Sequence, residues 1–459
     1  MSASASWRPR GATAIALLTF LAVTAPAPAW AHGIGVRGDL PLPLWMVSYG
    51  AAMVLVLSFV ALRTLWPSPR LEGNTAGVAV AEPVERAAAG LEWCLRLVGL
   101  VAFATVWAAA LVGPLSPVGN LAPYAIYVTF WVGGLVVSGL VADVWYALSP
   151  FETVARLAGP TTDEEPSLLN RIGVWPAAVL LLVFAWLELV YPNPADPRTL
   201  AQAIGVYVAI IAIGAAWWGR AWIRSAEAFG VVFSIVAAMA PIHRGDTGRL
   251  RLRPPLAGLA DLDVVPGTAA VILIALGTTT FDGVTRQAFW EELTGSRTGW
   301  ALVPYSTAGL LLTVAAVAGL YVWAMHEAAR RTERNTAELV EAFVHSLVPI
   351  ALAYAIAHYF SLLVFEGQRF VELASDPLGR GWDLFGTAHW QVNYTAVSTA
   401  VIAWVQAGAI VAGHLAGVVL AHDRAVVMFP GKLATTSQYA LLAAMVSYTV
   451  GGLALLLGG

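Results

Sequence analysis

The sequence predicts an all-α fold, a polytopic integral membrane helix bundle, and three observations carry the prediction. The chain has 459 residues, of which 59% are hydrophobic and only 12% charged, whereas soluble proteins carry about 25% charged residues. Its apolar residues form long runs, and a spanning helix needs about 20 of them. The 19 Trp residues are typical of spans whose ends are anchored at the membrane interfaces.

The first 31 residues have the pattern of a cleavable secretory signal peptide. Arg8 and Arg10 form a basic region, residues 13–23 form a short apolar run, and Ala29 and Ala31 supply a small-x-small cleavage pattern. Cleavage after Ala31 would make His32 the new amino terminus. An N-terminal histidine is a weak metal-site candidate, and a chance placement is the commoner reason for finding one.

Ten apolar runs are long enough to span, and residues 32–459 are predicted to form a single transmembrane domain. The runs are 44–66, 91–112, 121–148, 174–191, 200–218, 264–281, 303–325, 339–365, 391–421 and 434–457. An eleventh run, 222–240, is ambiguous because it begins with Arg224 and Glu227.

Arginine distribution favours ten spans, because cytoplasmic loops carry an excess of basic residues. If 222–240 does not cross, most arginines lie on one side, whereas a crossing would divide them almost evenly. We therefore predict that 222–240 is in-plane or re-entrant, and that both mature termini lie outside the inner membrane. The arginine-rich loop 241–255 is expected to contact lipid headgroups.

Two histidines are the main candidates for cofactor ligands. His345 and His414 lie within about two helical turns of the inner ends predicted for the runs 339–365 and 391–421, which puts both about 10 Å deep. Imidazoles at one depth on adjacent helices are the arrangement that holds a haem b or a transition metal ion. Packing without a ligand is the alternative. Two further histidines near the same boundary are candidates for this cluster, His326 and His422.

Backbone features mark the same two helices. Pro349 cannot bond the carbonyl of His345, which is left to accept from a neighbour, a ligand or water. Gly413 and Gly417 form a GxxxG pattern, which predicts a close approach of another helix.

A second set of polar residues is predicted to form a proton or substrate path. The alternative for each is snorkelling to an interface or hydrogen bonding between helices. Asp282-Gly283 is expected to be a turn, and Glu227 is expected to pair with Arg220 or Arg224. The path candidates are His358, Tyr354, Glu188, Asp143 and Gln406.

The segment 366–390 is acidic and aromatic and is predicted to lie outside the membrane. It offers a docking surface for an extracytoplasmic or membrane partner. His389, near its end, is a weak metal candidate.

Other classes of function are disfavoured. The single cysteine, Cys94, excludes an internal disulfide and a CxxC redox pair. The net charge of −3 gives no basic surface for nucleic acid. No phosphate-binding, dinucleotide-binding or hydrolase motif is present.

Three functions remain open, and the sequence does not decide whether the chain is an enzyme. The first is a transporter or permease linked to protons or metal ions. The second is a haem b protein with a quinone as partner. The third is a non-catalytic anchor or assembly subunit. No catalytic residue can be assigned, and the bilayer is the one partner predicted in all three cases.

Overall fold

The computed structural model describes residues 43–158, 167–245 and 247–457. The predicted signal peptide, 1–31, and His32 lie outside these residues. The described part is nearly all α-helical, and nine of its helices are long and apolar enough to cross a membrane. Large apolar side chains such as Leu97, Val101 and Leu312 are exposed along them. The chain is therefore a multi-pass membrane protein whose apolar helices contact lipid.

The described residues form nine helical segments long enough to span a membrane, with shorter helices and three short strands between them. The candidate spans are α1 (Leu44–Leu65), α2 (Glu82–Val112), α3 (Leu121–Leu140), α8 (Pro197–Ala226), α10 (Thr268–Thr285), α12 (Val303–Thr332), α13 (Thr336–Ala374), α14 (Thr399–Met428) and a last segment made of α15 (Lys432–Thr436) and α16 (Tyr439–Leu457). The other helices are α4 (Trp145–Leu148), α5 (Pro150–Leu157), α6 (Ser167–Ile172), α7 (Trp175–Leu189), α9 (Ala228–Ala237) and α11 (Ala288–Thr294). The strands β1 (Val78–Ala79), β2 (Ile242–Arg244) and β3 (Leu250–Leu252) form a small antiparallel sheet in the order β1-β3-β2.

Two predicted spans are shorter than expected. The run 174–191 forms only the 15-residue helix α7, about 22 Å long, whereas the hydrocarbon core is about 30 Å thick. The run 121–148 ends as a continuous helix at Leu140. The separate helix α4 begins at Trp145. Asp143 accepts a hydrogen bond of 3.1 Å from the backbone N–H of Tyr146 in its first turn.

Helix α14 begins and ends later than the predicted run 391–421. Its N-cap is Ser398, whose hydroxyl accepts from the backbone N–H of Val401. The helix continues past Ala421 to Met428, because the polar residues that follow Ala421 find hydrogen-bonding partners. This shift moves His414 toward the middle of its helix.

The segment 222–240 does not form a helix long enough to cross. Helix α8 kinks at Gly219, whose φ is 61°, and α9 has only 10 residues. Arg220, before the segment, pairs with Glu152. Arg244, after it, pairs with Glu92. Since Arg156 pairs with both of these glutamates, the chain enters and leaves on the same face of the bundle.

That face carries a dense ionic network, which we call the arginine face. The fully buried Arg96 lies 2.7 Å from Glu92 and donates to Thr153 at 3.3 Å. Three guanidinium groups surround the ring of Tyr146 at 4.8 to 5.9 Å from its centroid. The arginine face is defined by Arg96, Arg156, Arg220 and Arg244 with Glu85, Glu92 and Glu152.

Two arginines of the loop 241–255 donate hydrogen bonds to backbone carbonyls of the protein, although lipid contact was expected. Arg253 donates to the carbonyls of Ala237, Ala238 and Ala240 at the end of α9. Arg251 donates to the carbonyl of Gly77. The expected contact with lipid headgroups therefore does not describe these two arginines, because backbone carbonyls occupy their guanidinium groups.

Glu227 lies at the break between α8 and α9 and, contrary to expectation, has no arginine partner within the described ranges. It accepts from the indole of Trp145 at 2.8 Å, from the hydroxyl of Tyr207 at 2.7 Å and from the backbone N–H of Gly230 at 2.7 Å. The carboxylate caps α9, so its role here is to hold the break between α8 and α9.

Candidate functional site

The contact between α13 and α14 is built on the proline and glycine that the sequence singles out. The turn before Pro349 tightens to a 3₁₀-helix, and the carbonyl of His345 accepts a hydrogen bond from the backbone N–H of Val348. A Cβ added at Gly413 would meet the Cβ of Ala353 at 2.2 Å, so the approach requires glycine. The carbonyl that Pro349 frees is thus used within its own helix.

His345 and His414 lie on adjacent helices at different levels. The ring of His345 lies beside the backbone of Leu420, which is six residues, about 9 Å, along α14 from His414. Gly413, beside His414, packs instead against the backbone of Pro349. The expected equal depth is wrong, because α14 continues beyond its predicted end. The contacts offer no support for a haem iron shared by these two rings.

His414 is buried, and one of its ring nitrogens has no partner. Nδ1 lies 2.9 Å from the carbonyl oxygen of Ile410. Because a carbonyl only accepts, Nδ1 carries the proton and Nε2 is a bare acceptor. Nε2 has no hydrogen-bond partner among the described residues. The ring borders a cavity of about 40 Å³ that is lined by aliphatic side chains and by Tyr321, Met445 and Tyr448.

His422 and its neighbour Asp423 hold the loop that follows α1. The ring nitrogens of His422 contact the carbonyl of Trp66 and the amide of Gln438, each at 3.2 Å. Asp423 accepts from the indole of Trp66 and from the backbone N–H of Arg70, each at 2.7 Å. Both side chains are thereby occupied in fastening this loop to α14.

The other predicted residues are placed separately. His326 is exposed, with Nδ1 3.3 Å from the hydroxyl of Thr336. His389 is exposed in its loop, and Gln406 is half-buried on α14. Asp143 lies outside the spans, where burial raises the pKa of its carboxyl group although backbone hydrogen bonds oppose the shift.

In the described ranges, no group of three or more His, Cys, Asp or Glu side chains is arranged to hold a metal ion. The four histidines expected to cluster, at 326, 345, 414 and 422, have separate partners. Nε2 of His414 is the one ring nitrogen of this set that is buried without a partner among the described residues. A haem with two histidine ligands would need a second ring, and the lining of the His414 cavity supplies none.

The clearest ionisable site within the bundle is a carboxylate–imidazole pair, Asp282 on α10 with His358 on α13. Nε2 of His358 lies 2.7 Å from Oδ2 of Asp282, and the side chains are only 3% and 14% exposed. Asp282 also lies 3.3 Å from Arg286, whose side chain is 59% exposed. The expected turn at Asp282-Gly283 is wrong, because both residues lie inside α10. The pair is thus enclosed by two apolar helices yet linked to the surface.

Two more ionisable side chains join this pair. The carboxylate of Glu188 on α7 is close enough to interact electrostatically with Asp282. The hydroxyl of Tyr359 lies close enough to Asp282 to interact with it. We call Glu188, Asp282, His358 and Tyr359 the titratable cluster. The structure therefore brings together two of the predicted path residues, Glu188 and His358, from different helices.

Tyr354, the third predicted path residue here, begins a line of rings that leads away from the cluster. Its ring centroid is 6.2 Å from that of His358 and 5.9 Å from that of Tyr448. The Tyr448 centroid is in turn 5.9 Å from that of His414. The Tyr448 hydroxyl lies 2.7 Å from that of Thr280. The titratable cluster and His414 are thus connected by two phenols.

Three residues of this arrangement, Asp282, Tyr359 and Tyr448, were not among the path residues predicted from the sequence. Asp282 lies at the edge of its apolar run and is followed by Gly283, and an Asp-Gly pair at such an edge is typical of a turn. Tyr448 lies between Ser447 and Thr449 inside an apolar run. This polar triplet is the sequence feature that could have marked Tyr448 as a candidate site residue. None of these positions reveals its partner, because the contacts are made between distant helices.

Comparison with known proteins found no matching family model, no matching curated protein and no matching solved structure.

Proposed function

We propose that this chain is a multi-pass inner-membrane transporter or permease whose substrate movement is linked to protons or metal ions by intramembrane histidine and carboxylate side chains. The observation that carries the proposal is the hydrogen bond between Asp282 and His358 inside two apolar helices. Ionisable groups are costly in hydrocarbon and usually mark ion or proton pathways. Histidine changes charge near neutral pH, which favours a proton as the coupling ion.

The rest of the titratable cluster supports this choice. Glu188 gives the site a second carboxylate that interacts electrostatically with Asp282, so the site holds two acids and an imidazole. Arg286 is mostly exposed and borders the pair, which provides a connection to bulk water. A buried pair that served only to hold helices together would not need either feature.

The proposal includes an orientation. With the short helix α7 as a tenth crossing, the positive-inside rule favours a cytoplasmic arginine face, and both termini and the titratable cluster then lie toward the outside. Residues 1–31 would be a cleaved signal peptide and 32–459 a single transmembrane domain. Protons would then reach Asp282 from the outside, past Arg286.

The test is proton-coupled flux in proteoliposomes that enclose a pH-sensitive dye. A panel of amino acids, sugars, organic anions and divalent metal ions is added outside, and the change in internal pH reports coupling. We expect at least one class to acidify the interior with the wild-type protein. Asp282→Asn and His358→Gln should abolish this signal, because each removes one side of the proton-binding pair.

Asp376→Asn is the matched control, because Asp376 is a carboxylate that bonds only backbone N–H groups of its own loop. It should keep the wild-type signal. Wild-type flux that survives in both Asp282→Asn and His358→Gln would overturn the proposal. His345→Ala and His414→Ala complete the series, since both histidines were also expected to be needed.

A non-catalytic anchor or assembly subunit is the second candidate, and the loop after α13 favours it. The hydroxyl of Ser375 lies 2.8 Å from that of Thr387 and accepts from the backbone N–H of Phe385. The fixed loop nevertheless exposes Trp382 and Phe385, the latter by 71%. A stoichiometric partner that co-purifies with the wild type and is lost with Phe385→Ser would favour this function.

The haem b alternative, with quinone as partner, has a direct test in the absorption spectrum of the purified protein. A Soret band that is present in the wild type and lost in His414→Ala would replace the transport proposal.

A further inference from the structure

The segment between α10 and α12 contains the short helix α11, and a tryptophan of this helix is inserted between the two candidate spans. Trp290 is only 8% exposed, and its ring centroid lies 5.4 Å from that of Phe281 on α10. A Cβ added at Gly309 of α12 would meet the same indole at 2.4 Å. Gly309 is six residues, about 9 Å, along α12 from its first residue, Val303. Helix α11 therefore lies against the ends of these spans.

The neighbouring side of α11 is apolar and exposed. Phe289 and Leu293 are four residues apart, so they share one side of the helix, and they are 54% and 59% exposed. Glu291 and Glu292 are exposed as well. At about 100° per residue, the buried, apolar and acidic sides are spaced about 100–130° apart around the helix axis.

Exposed apolar side chains continue along the surface of α12. Leu311 and Leu312, shortly after Gly309, are 49% and 69% exposed. Their helix is a candidate span, so these leucines face acyl chains. Because Trp290 reaches Gly309, the exposed side of α11 lies within about two helical turns of side chains that contact lipid.

Aromatic rings surround α11 at this end of the bundle. Trp300 is 67% exposed, and its ring centroid lies 5.6 Å from that of Tyr191 after α7. Tyr305, in the first turn of α12, is 38% exposed, and the guanidinium of Arg297 lies 4.6 Å from its ring centroid. Exposed tryptophan, tyrosine and arginine side chains anchor spans at the boundary between lipid and water. The surroundings of α11 thus have the composition of a membrane interface.

We infer that α11 lies in the plane of the membrane interface, with Phe289 and Leu293 among the lipid acyl chains and the bilayer as the partner of this surface. A helix in that position places one side against the protein, its apolar side in lipid and its charged side in water, and α11 has these three sides. Arg286, between α10 and α11, then lies at the level of the lipid headgroups. The inference does not depend on the transport function.

Fluorescence quenching of single-cysteine variants in vesicles tests the position of α11. In a Cys94→Ser background, which removes the single cysteine, Phe289→Cys or Leu293→Cys is labelled with the fluorophore NBD. The full-length protein is reconstituted into phosphatidylcholine vesicles. Phosphatidylcholine with a nitroxide on its acyl chain should quench both labels several-fold, whereas iodide present on both sides of the membrane should quench them little. Two positions are used so that one variant suffices if the other fails to fold.

Phe385→Cys is the matched control, because Phe385 is also an exposed phenylalanine of a connecting segment. Its backbone N–H donates to Ser375 at the end of α13, which is ten residues, about 15 Å, beyond Phe365. Charged and polar residues follow Phe365 directly, so this label should lie in water. Iodide should quench it several-fold more strongly than it quenches the labels on α11.

Two results would overturn the inference. Iodide quenching of the α11 labels that equals the quenching of the Phe385→Cys label would place α11 in water. Protection of the α11 labels from both iodide and the nitroxide lipid would mean that a second copy of the chain, and not lipid, covers Phe289 and Leu293. Strong quenching by the nitroxide lipid in a protein that shows no flux would leave the inference standing while the transport function fails.

Discussion

The arginine face and the titratable cluster are two buried polar regions of the same bundle, and they differ in how completely their groups are partnered. At the arginine face, Arg96 bonds Glu92 and Thr153 and faces the ring of Tyr146. In and beside the titratable cluster, His358 keeps one ring nitrogen and Tyr354 its hydroxyl without a partner. The first arrangement is nearly closed, because Nε of Arg220 is its one buried side-chain atom without a partner among the described residues and that guanidinium still pairs with Glu152. The second leaves a ring nitrogen and a whole hydroxyl group free to bind something else.

This difference separates a structural role from a functional one. A closed ionic network resists rearrangement, because any movement leaves a charge unpaired in a region of low dielectric. An open cluster can exchange a proton or a ligand without breaking the contacts that hold its helices. We therefore expect substitutions at the arginine face to affect stability, and substitutions in the titratable cluster to affect transport.

The largest expected effect is on Arg96. Removing one partner of a buried ion pair costs about 3–5 kcal/mol, and Arg96→Met should lie near the lower limit because Glu92 keeps Arg156 and Arg244 as partners. Arg86→Met is the matched control on the same helix, since Arg86 forms the same i,i+4 pair with Glu82 but its side chain is 74% exposed. Unfolding of both variants in detergent micelles measures the difference.

Arg96→Met should clearly lower the midpoint of unfolding in detergent micelles, and Arg86→Met should leave that midpoint unchanged. Equal stability of Arg96→Met and the wild type would mean that the ionic network contributes little, and the contrast between the two regions would lose its structural half.

Sequence patterns predicted the membrane class because it depends on composition and on the length of apolar runs, which are local properties. The approach of α13 and α14 was also predictable, since the GxxxG at Gly413 and Gly417 needs no knowledge of other helices. The arginine distribution favoured a segment 222–240 that does not cross, and this topology stays a prediction, which the pairing of Arg220 and Arg244 with one network supports.

The site itself was only partly predictable, because its geometry depends on where helices end and which helices meet. Hydropathy ended α14 at the polar residues His422 and Asp423. These residues are paired across the bundle, so the helix continues and His414 moves away from the level of His345. Asp282 was expected in a turn for a related reason. Its hydrogen-bonding partner His358 lies 76 positions away, so the local sequence does not show that this carboxylate is satisfied inside a helix.

Asp282→Asn should have a smaller effect on stability than Arg96→Met. The amide oxygen of asparagine can still accept from Nε2 of His358, so the free energy of unfolding should change by no more than about 1 kcal/mol. Flux should nevertheless be lost, because an amide does not bind a proton near neutral pH. The two measurements are made on the same purified variant.

A stability loss as large as that of Arg96→Met would show that the Asp282–His358 pair is mainly a structural contact. The number of unpartnered atoms in a buried polar region would then not indicate whether that region has a structural or a functional role.

The smallest expected effect compares two buried tyrosines. Tyr321→Phe removes a hydroxyl that bonds the carbonyl of Val340, so it should destabilise the fold by about 1 kcal/mol. Tyr354→Phe removes a hydroxyl with no protein partner, so its thermal midpoint should equal or exceed that of the wild type. Both tyrosines are almost fully buried, which makes the hydroxyl environment the main difference. A midpoint that falls further in Tyr354→Phe than in Tyr321→Phe would mean that water already bonds the Tyr354 hydroxyl strongly, and the cluster would be closed by solvent rather than open.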